Sequence, residues 1–166
     1  MTDSTSQTTF NPGKGTGETV GVALLGLGTV GAEVLRLMRE RRDEFAARVG
    51  GPLEVRGVAV SDVTKPREGV EKEILTDDAL ALVKRDDVDL VIEVIGGIDY
   101  PREVVLTALN EGKAVVTANK ALIAAHADEL SEAAEKAGKD LFFEAAVAAA
   151  IPVVGPLLRS LAGDKV

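Results

Sequence analysis

One glycine turn in a fixed setting constrains this chain more than any other feature. Gly26-Leu27-Gly28-Thr29-Val30-Gly31 has the pattern G-x-G-x-x-G. The stretch before it, Val20-Gly21-Val22-Ala23-Leu24-Leu25, carries no polar side chain. A short apolar run bounded by glycines predicts a strand buried on both faces. After the turn the period changes. Val30, Val34, Leu37, Met38 and Phe45 recur at helical spacing with Arg and Glu between them. That pattern predicts one amphipathic helical element, ended by Gly50, Gly51 and Pro52.

Strand, glycine turn and helix in that order open a βαβ unit, and each glycine then has a task. Gly26 permits the tight turn, Gly28 lets backbone approach a pyrophosphate, and Gly31 lets the helix pack close to the strand. The helix start offers free N–H groups and a partial positive charge. Gly26, Leu27, Gly28, Thr29, Val30 and Gly31 are therefore candidate dinucleotide-phosphate contacts. The same residues also admit a plain tight turn with no ligand.

The rest of the chain keeps alternating. A second strand is predicted over residues 53–60, with Glu54 and Arg56 leaving its start partly solvated. Residues 61–75 are polar and irregular. Thr76 reads as an N-cap, with Asp77 and Asp78 in the first turn of a short helix reaching about residue 85. A strand over 88–95 ends at Gly96-Gly97. Pro101 marks a helix start and Gly112 follows its end. A strand over 114–117, a helix from about 121 to 137 stopped by Gly138, and a strand over 141–143 complete the series. The alternation predicts an α/β fold with a doubly wound, mostly parallel Rossmann sheet.

Three regions follow. Residues 1–18 read as a flexible tail; Gly13, Gly15 and Gly17 around Lys14 lack P-loop spacing, and no strand precedes them. Residues 19–145 form the dinucleotide-binding domain. Residues 146–166, small and apolar and interrupted by Pro152, Gly155 and Pro156, read as a connector into a further domain that is missing.

Composition narrows the function. A net charge of −8 argues against nucleic-acid binding. With no Cys and a single His, His126, there is no thiol nucleophile, Cys zinc site or His cluster. No apolar run reaches membrane-spanning length and the N-terminus has no secretory pattern, so a cytoplasmic protein is the default. His126 reads as a surface helix residue, and Asp86-Asp87-Val88-Asp89 as a solvated turn.

The end of the second strand should decide between cofactors. Ser61, Lys65 and Arg67 could hold the extra phosphate of NADP, whereas Asp62 could accept the ribose hydroxyls of NAD. Two cations close to the strand end favour NADP(H), with NAD(H) as the alternative; a solvated mixed-charge loop is the bland reading.

Three further stretches stand out. Glu93-Val94-Ile95-Gly96-Gly97 ends a strand in two glycines, where backbone could pass close to a nicotinamide ribose. Thr117-Ala118-Asn119-Lys120 places a lysine at another strand's carboxyl end. In Phe143-Glu144-Ala145-Ala146-Val147-Ala148-Ala149-Ala150-Ile151-Pro152 a lone Glu lies in an apolar stretch, costly to bury unless paired or bound to a cation.

GLGTVG, VIEVIGG, VTANKALIA and FEAAVAAAIP, in that order, resemble homoserine dehydrogenase of the actinobacterial type, over residues 20–166. The resemblance implies NAD(P)-dependent interconversion of homoserine and aspartate semialdehyde, in threonine, methionine and isoleucine biosynthesis, by a homo-oligomer. It implies cofactor contacts at Ile95, Gly96, Thr117 and Lys120, with Lys120 as a catalytic residue at the nicotinamide–substrate junction. It also implies a sodium-type cation on Glu144 and the carbonyls of Val147, Ala149 and Ile151, a reasonable oxygen set for a hard ion. The family's substrate and dimerisation domain is missing after Val166, so this chain is not expected to turn over alone. Other semialdehyde-type reductases and a binding-only NAD(P) module are the alternatives.

Overall fold

The computed structural model describes residues 17–67 and 69–143. Strand β1 (Val20–Leu25) is buried at every position, as its apolar run requires. The chain continues through α1 (Thr29–Glu40), α2 (Arg42–Val49), β2 (Leu53–Ala59), a 3-10 turn (Lys72–Ile74), β3 (Leu75–Thr76) and α3 (Ala79–Val83). It then returns through β4 (Leu90–Glu93), α4 (Asp99–Asn110), β5 (Ala114–Thr117), α5 (Lys120–Ala137) and β6 (Leu141–Phe142). The six strands lie in the order β3-β2-β1-β4-β5-β6, and every pairing is parallel. This is the expected doubly wound arrangement. The chain builds outward from β1, then reverses and builds from β4. The reversal leaves a crevice at the carboxyl ends of β1 and β4, where such sheets bind ligands.

Alternation along the strands divides the core between two layers. Ala23, Leu25 and Val91 face Val104, Leu109, Leu122 and Leu130 of α4 and α5. Leu24 and Val58 face Leu35 of α1. Among the described residues no aromatic belongs to the fully buried set, so aliphatic packing carries the fold. Truncating a fully buried leucine such as Leu109 to alanine costs about 2–5 kcal/mol in sites of this kind.

Several local expectations are corrected. The single helical element after the glycine turn is two helices, broken at Arg41 (φ −109°, ψ 28°). The run Arg39 to Glu44 has no apolar residue to hold one face. The break lets Val49 pack with Leu53 beside Val20 and Val22. Val30, counted with the apolar face, is 56% exposed. It lies in the helix's first turn, where the crevice side is open.

Thr76 is not the cap of α3. It belongs to β3, where its carbonyl accepts from Val60 N (2.8 Å). Asp78 caps instead, its Oδ1 accepting from Ala81 N (2.8 Å), so Asp77 and Asp78 precede the helix. The strand expected over 88–95 is confined to Leu90–Glu93. His126 does not continue a regular helix: its backbone (φ −138°, ψ 21°) interrupts α5. Its half-buried ring lies with Nδ1 3.3 Å from Glu129 Oε2. Glu129 in turn accepts from Arg102 Nε (2.6 Å), clamping α4 to α5.

Residues 1–16 of the expected tail, the connector over 146–166 and the cation ligands Glu144, Val147, Ala149 and Ile151 lie outside the described residues. Among the described residues no cluster of His, Asp or Glu could hold a metal ion, and no helix is long and apolar enough to cross a membrane.

Candidate functional site

The three glycines of the turn sit in different surroundings. Gly26 has φ +99°, and a Cβ there would lie 2.8 Å from Val94 O. Gly31 is buried, and a Cβ would collide with Gly26 O, so any side chain would push α1 off the strand. Gly28 differs. Its backbone (φ −79°, ψ −161°) suits any residue, and a Cβ there would meet nothing within 4 Å. The fold itself does not demand a glycine at 28, which opens on free space.

Gly28 is also the N-cap of α1. No side chain caps that end and no acid lies in the first turn. The start of the helix therefore presents amide N–H groups and the positive end of its dipole without internal compensation, the arrangement that accepts an anion. Gly26, Leu27, Gly28, Ser61, Arg67 and Ile95 line one cleft of about 410 Å³, closed by Val60, Val94 and Tyr100. Thr29 and Val30 are exposed beside it. The residues present thus fit the pyrophosphate end of a dinucleotide.

The loop after β2 brings only part of its expected set to this cleft. Arg67 reaches back over the glycine turn, with Nη1 donating to Leu27 O at 3.2 Å, while its Nε is buried without a partner. Lys65 does not line the cleft; its ammonium lies 3.7 Å from Asp62 Oδ2. Asp62 accepts from Thr64 N (2.9 Å) and Thr64 Oγ1 (2.6 Å). Those bonds, with Lys65 adding attraction, hold its carboxyl below the ordinary range.

A second cluster lies at the carboxyl ends of β4 and β5. Glu93 is fully buried. Its Oε2 accepts from Thr117 Oγ1 (2.5 Å), and its Oε1 accepts from Ile95 N (2.8 Å) and Gly96 N (3.4 Å), with Asn119 Nδ2 at 3.5 Å. Asn119 also donates to Gly97 O (2.9 Å), and its Oδ1 caps α5 by accepting from Leu122 N (3.1 Å). Gly96 and Gly97 have φ +87° and +83°, a turn that side chains resist. Lys120, the first residue of α5, is exposed. The Thr117 side chain is committed to Glu93 and to Asn119 N (3.0 Å), which leaves its backbone as the part able to meet a cofactor.

Glu93 and Asn119 lie in stretches that stand out in the sequence, but neither is among the site residues expected from it. A signal existed: Glu93 is the one charged residue in an otherwise apolar strand, and a carboxyl in such a place needs several donors.

Comparison with known proteins bears on this geometry. A family model described as homoserine dehydrogenase, NAD binding domain, matches residues 26–144. Homoserine dehydrogenase of Corynebacterium glutamicum is 71% identical over 98% of this chain, which covers 37% of that protein. That of Mycobacterium tuberculosis is 57% identical over 89% of this chain, covering 33% of that protein. The chain thus spans about a third of the length of these curated relatives. The crystal structure of a homoserine dehydrogenase from Thiobacillus denitrificans superposes with a TM-score of 0.78 at 38% identity, over 87% of this chain and 34% of that one. A hyperthermophilic archaeal homoserine dehydrogenase in complex with NADPH gives a TM-score of 0.67 at 26% identity, over 84% of this chain and 48% of that one. With the bare helix start, the open glycine and the parallel crevice already in place, the chain belongs to the homoserine dehydrogenase NAD-binding domain family.

Proposed function

We propose that this chain is the cofactor-binding portion of a homoserine dehydrogenase, holding a nicotinamide dinucleotide across the crevice between β1 and β4. The observation that carries the reading is the uncapped start of α1 at Gly28, opening on the 410 Å³ cleft. The amides of residues 28–31 receive the pyrophosphate. Ser61 and Arg67 take the adenosine end, with Lys65 able to join once released from Asp62. A guanidinium with a buried, unpartnered Nε suits a 2′-phosphate, so NADP(H) is preferred. The archaeal relative with bound NADPH supports that choice. NAD(H) would instead use Asp62, whose Oδ1 already serves Thr64 and whose Oδ2 faces Lys65.

When bound, the nicotinamide supplies direct hydride transfer between its C4 and the carbonyl carbon of aspartate semialdehyde, or the reverse from homoserine. The chain's own part is to orient and to manage the proton. Ile95 and Gly96 flank the nicotinamide end. Lys120, exposed at the start of α5, donates a proton to the substrate oxygen on reduction and recovers it on oxidation. The complete enzyme acts on the two substrates as a cytoplasmic homo-oligomer. A sodium-type cation on Glu144 and the carbonyls of Val147, Ala149 and Ile151 is a proposal carried by the sequence alone.

Calorimetry with NADPH and NADH at one salt concentration tests the reading. Binding with NADPH preferred supports the Ser61–Arg67 assignment, and preference for NADH transfers it to Asp62. Binding of neither removes the proposed site. Homoserine with NADP+ then separates an enzyme from a binding-only module by the absorbance of reduced nicotinamide.

A further inference from the structure

We infer that Glu93 is a positioning residue that locks the nicotinamide-side turn to the start of α5, and so sets the distance between the cofactor and Lys120. The inference rests on the reading above. Glu93 is wholly buried at the last position of β4. A carboxyl group placed there for packing alone would be a poor choice, because its burial is costly unless hydrogen-bond donors compensate it. Its donors are not scattered. Ile95 N and Gly96 N belong to the turn proposed to flank the nicotinamide. Thr117 Oγ1 and Asn119 Nδ2 belong to the segment that delivers Lys120. One side chain therefore gathers three pieces of backbone: the end of β4, the Ile95–Gly97 turn and the β5–α5 junction.

Asn119 closes the arrangement from the other side. It donates to Gly97 O and caps α5 with the same amide group. A shift of the turn is thereby transmitted to the helix that begins at Lys120. Glu93 is distant in role from the pyrophosphate contacts, which belong to β1 and α1. It should act on the rate and not on the grip. Misplacing a reacting group by about 1 Å can cost on the order of 100-fold in rate.

Glu93→Gln keeps the shape and replaces one acceptor oxygen with a donor that faces other donors. Thr117→Val removes one of the bonds with little change in volume and serves if Glu93→Gln fails to fold. Lys113→Met is the control. Lys113 is also buried and its ammonium donates to Arg85 O (2.9 Å), but it precedes β5 at the opposite edge of the sheet. In a full-length enzyme carrying this domain, kcat, KM, NADPH affinity and Tm are measured for each, beside Lys120→Ala. The expected result is a fall in kcat of about 10-fold or more for Glu93→Gln, with NADPH affinity changed by less than about 3-fold. Thr117→Val should show a smaller fall in the same direction, and Lys113→Met a loss of Tm at unchanged kcat. Glu93→Gln and Thr117→Val variants that lose only Tm, or that lose NADPH affinity and kcat together, would overturn the inference. Unchanged kcat in Lys120→Ala would instead overturn the reading beneath it, whatever the Glu93 variants do.

Discussion

Of the helices that begin at the carboxyl edge of this sheet, α1 and α5 are built differently. α1 starts at Gly28 with no side-chain cap and open space above the glycine. α5 starts at Asn119, whose side chain caps it, donates to Gly97 O and lies against a buried glutamate. The first is a helix end left without a side-chain cap, which on the proposed reading the dinucleotide completes. The second is finished internally, so that Lys120 has a defined place.

Lys120→Ala should give the largest effect. In a full-length enzyme it should lower kcat by about 100-fold or more while leaving NADPH affinity within about 3-fold. Steady-state kinetics with a cofactor titration reads both, and equal losses in both would erase the division of labour between the two helix ends. Next comes the glycine pair. Gly28→Ala should leave stability within about 0.5–1 kcal/mol, since its conformation is ordinary and its surroundings empty. It should cut dinucleotide affinity about 10-fold or more, because the added methyl occupies the phosphate's approach. Gly31→Ala should do the reverse at first order, destabilising by about 1–3 kcal/mol through the clash with Gly26 O. Thermal melts with and without NADPH separate the two.

Arg67→Gln should reduce NADPH affinity by about 5- to 10-fold and NADH affinity far less, read by side-by-side calorimetry. Equal losses would make Arg67 a brace on Leu27 O and no reader of the 2′-phosphate. The smallest effect is expected at the α4–α5 clamp. Arg102 bonding, helped by His126, holds the Glu129 carboxyl below its ordinary range. A depressed folded-state pKa adds stability that is present above the unfolded value and lost as pH falls through the folded one. Both side chains are more than a third exposed, so solvent screens the pair and the loss on acidification is slight. Arg102→Met should flatten that slope in Tm measured from neutral pH to about pH 3.

The frame of this domain is written in periodicity. The apolar run of β1 and the change of period after Gly31 were enough to place the first strand, the turn and the helix, because burial on both faces leaves few other options. Spacing fails where partners come from distant segments. Thr76 and Asp78 are both acceptable caps, and pairing with β2 decides between them. The break at Arg41 has no glycine or proline to announce it; it arises because Val49 has a core to reach. Glu93 shows the limit most clearly. The argument that a lone acid in an apolar stretch needs compensation holds for Glu144 and applies equally to Glu93, but besides the nearby amides of Ile95 and Gly96 its side-chain donors are Thr117 and Asn119, more than twenty residues away.

The bare start of α1 also bears on how long this domain survives in a cell. A helix end lacking its cap is a local deficit in the empty protein. A ligand that binds only the folded form contributes RT ln(1 + [L]/Kd), about 2.7 kcal/mol at a concentration 100 times Kd. On the proposed reading the dinucleotide serves as the missing cap. The supply of cofactor then governs the resistance of the domain to unfolding and proteolysis as well as its turnover, and a cell short of the nucleotide would lose the protein itself.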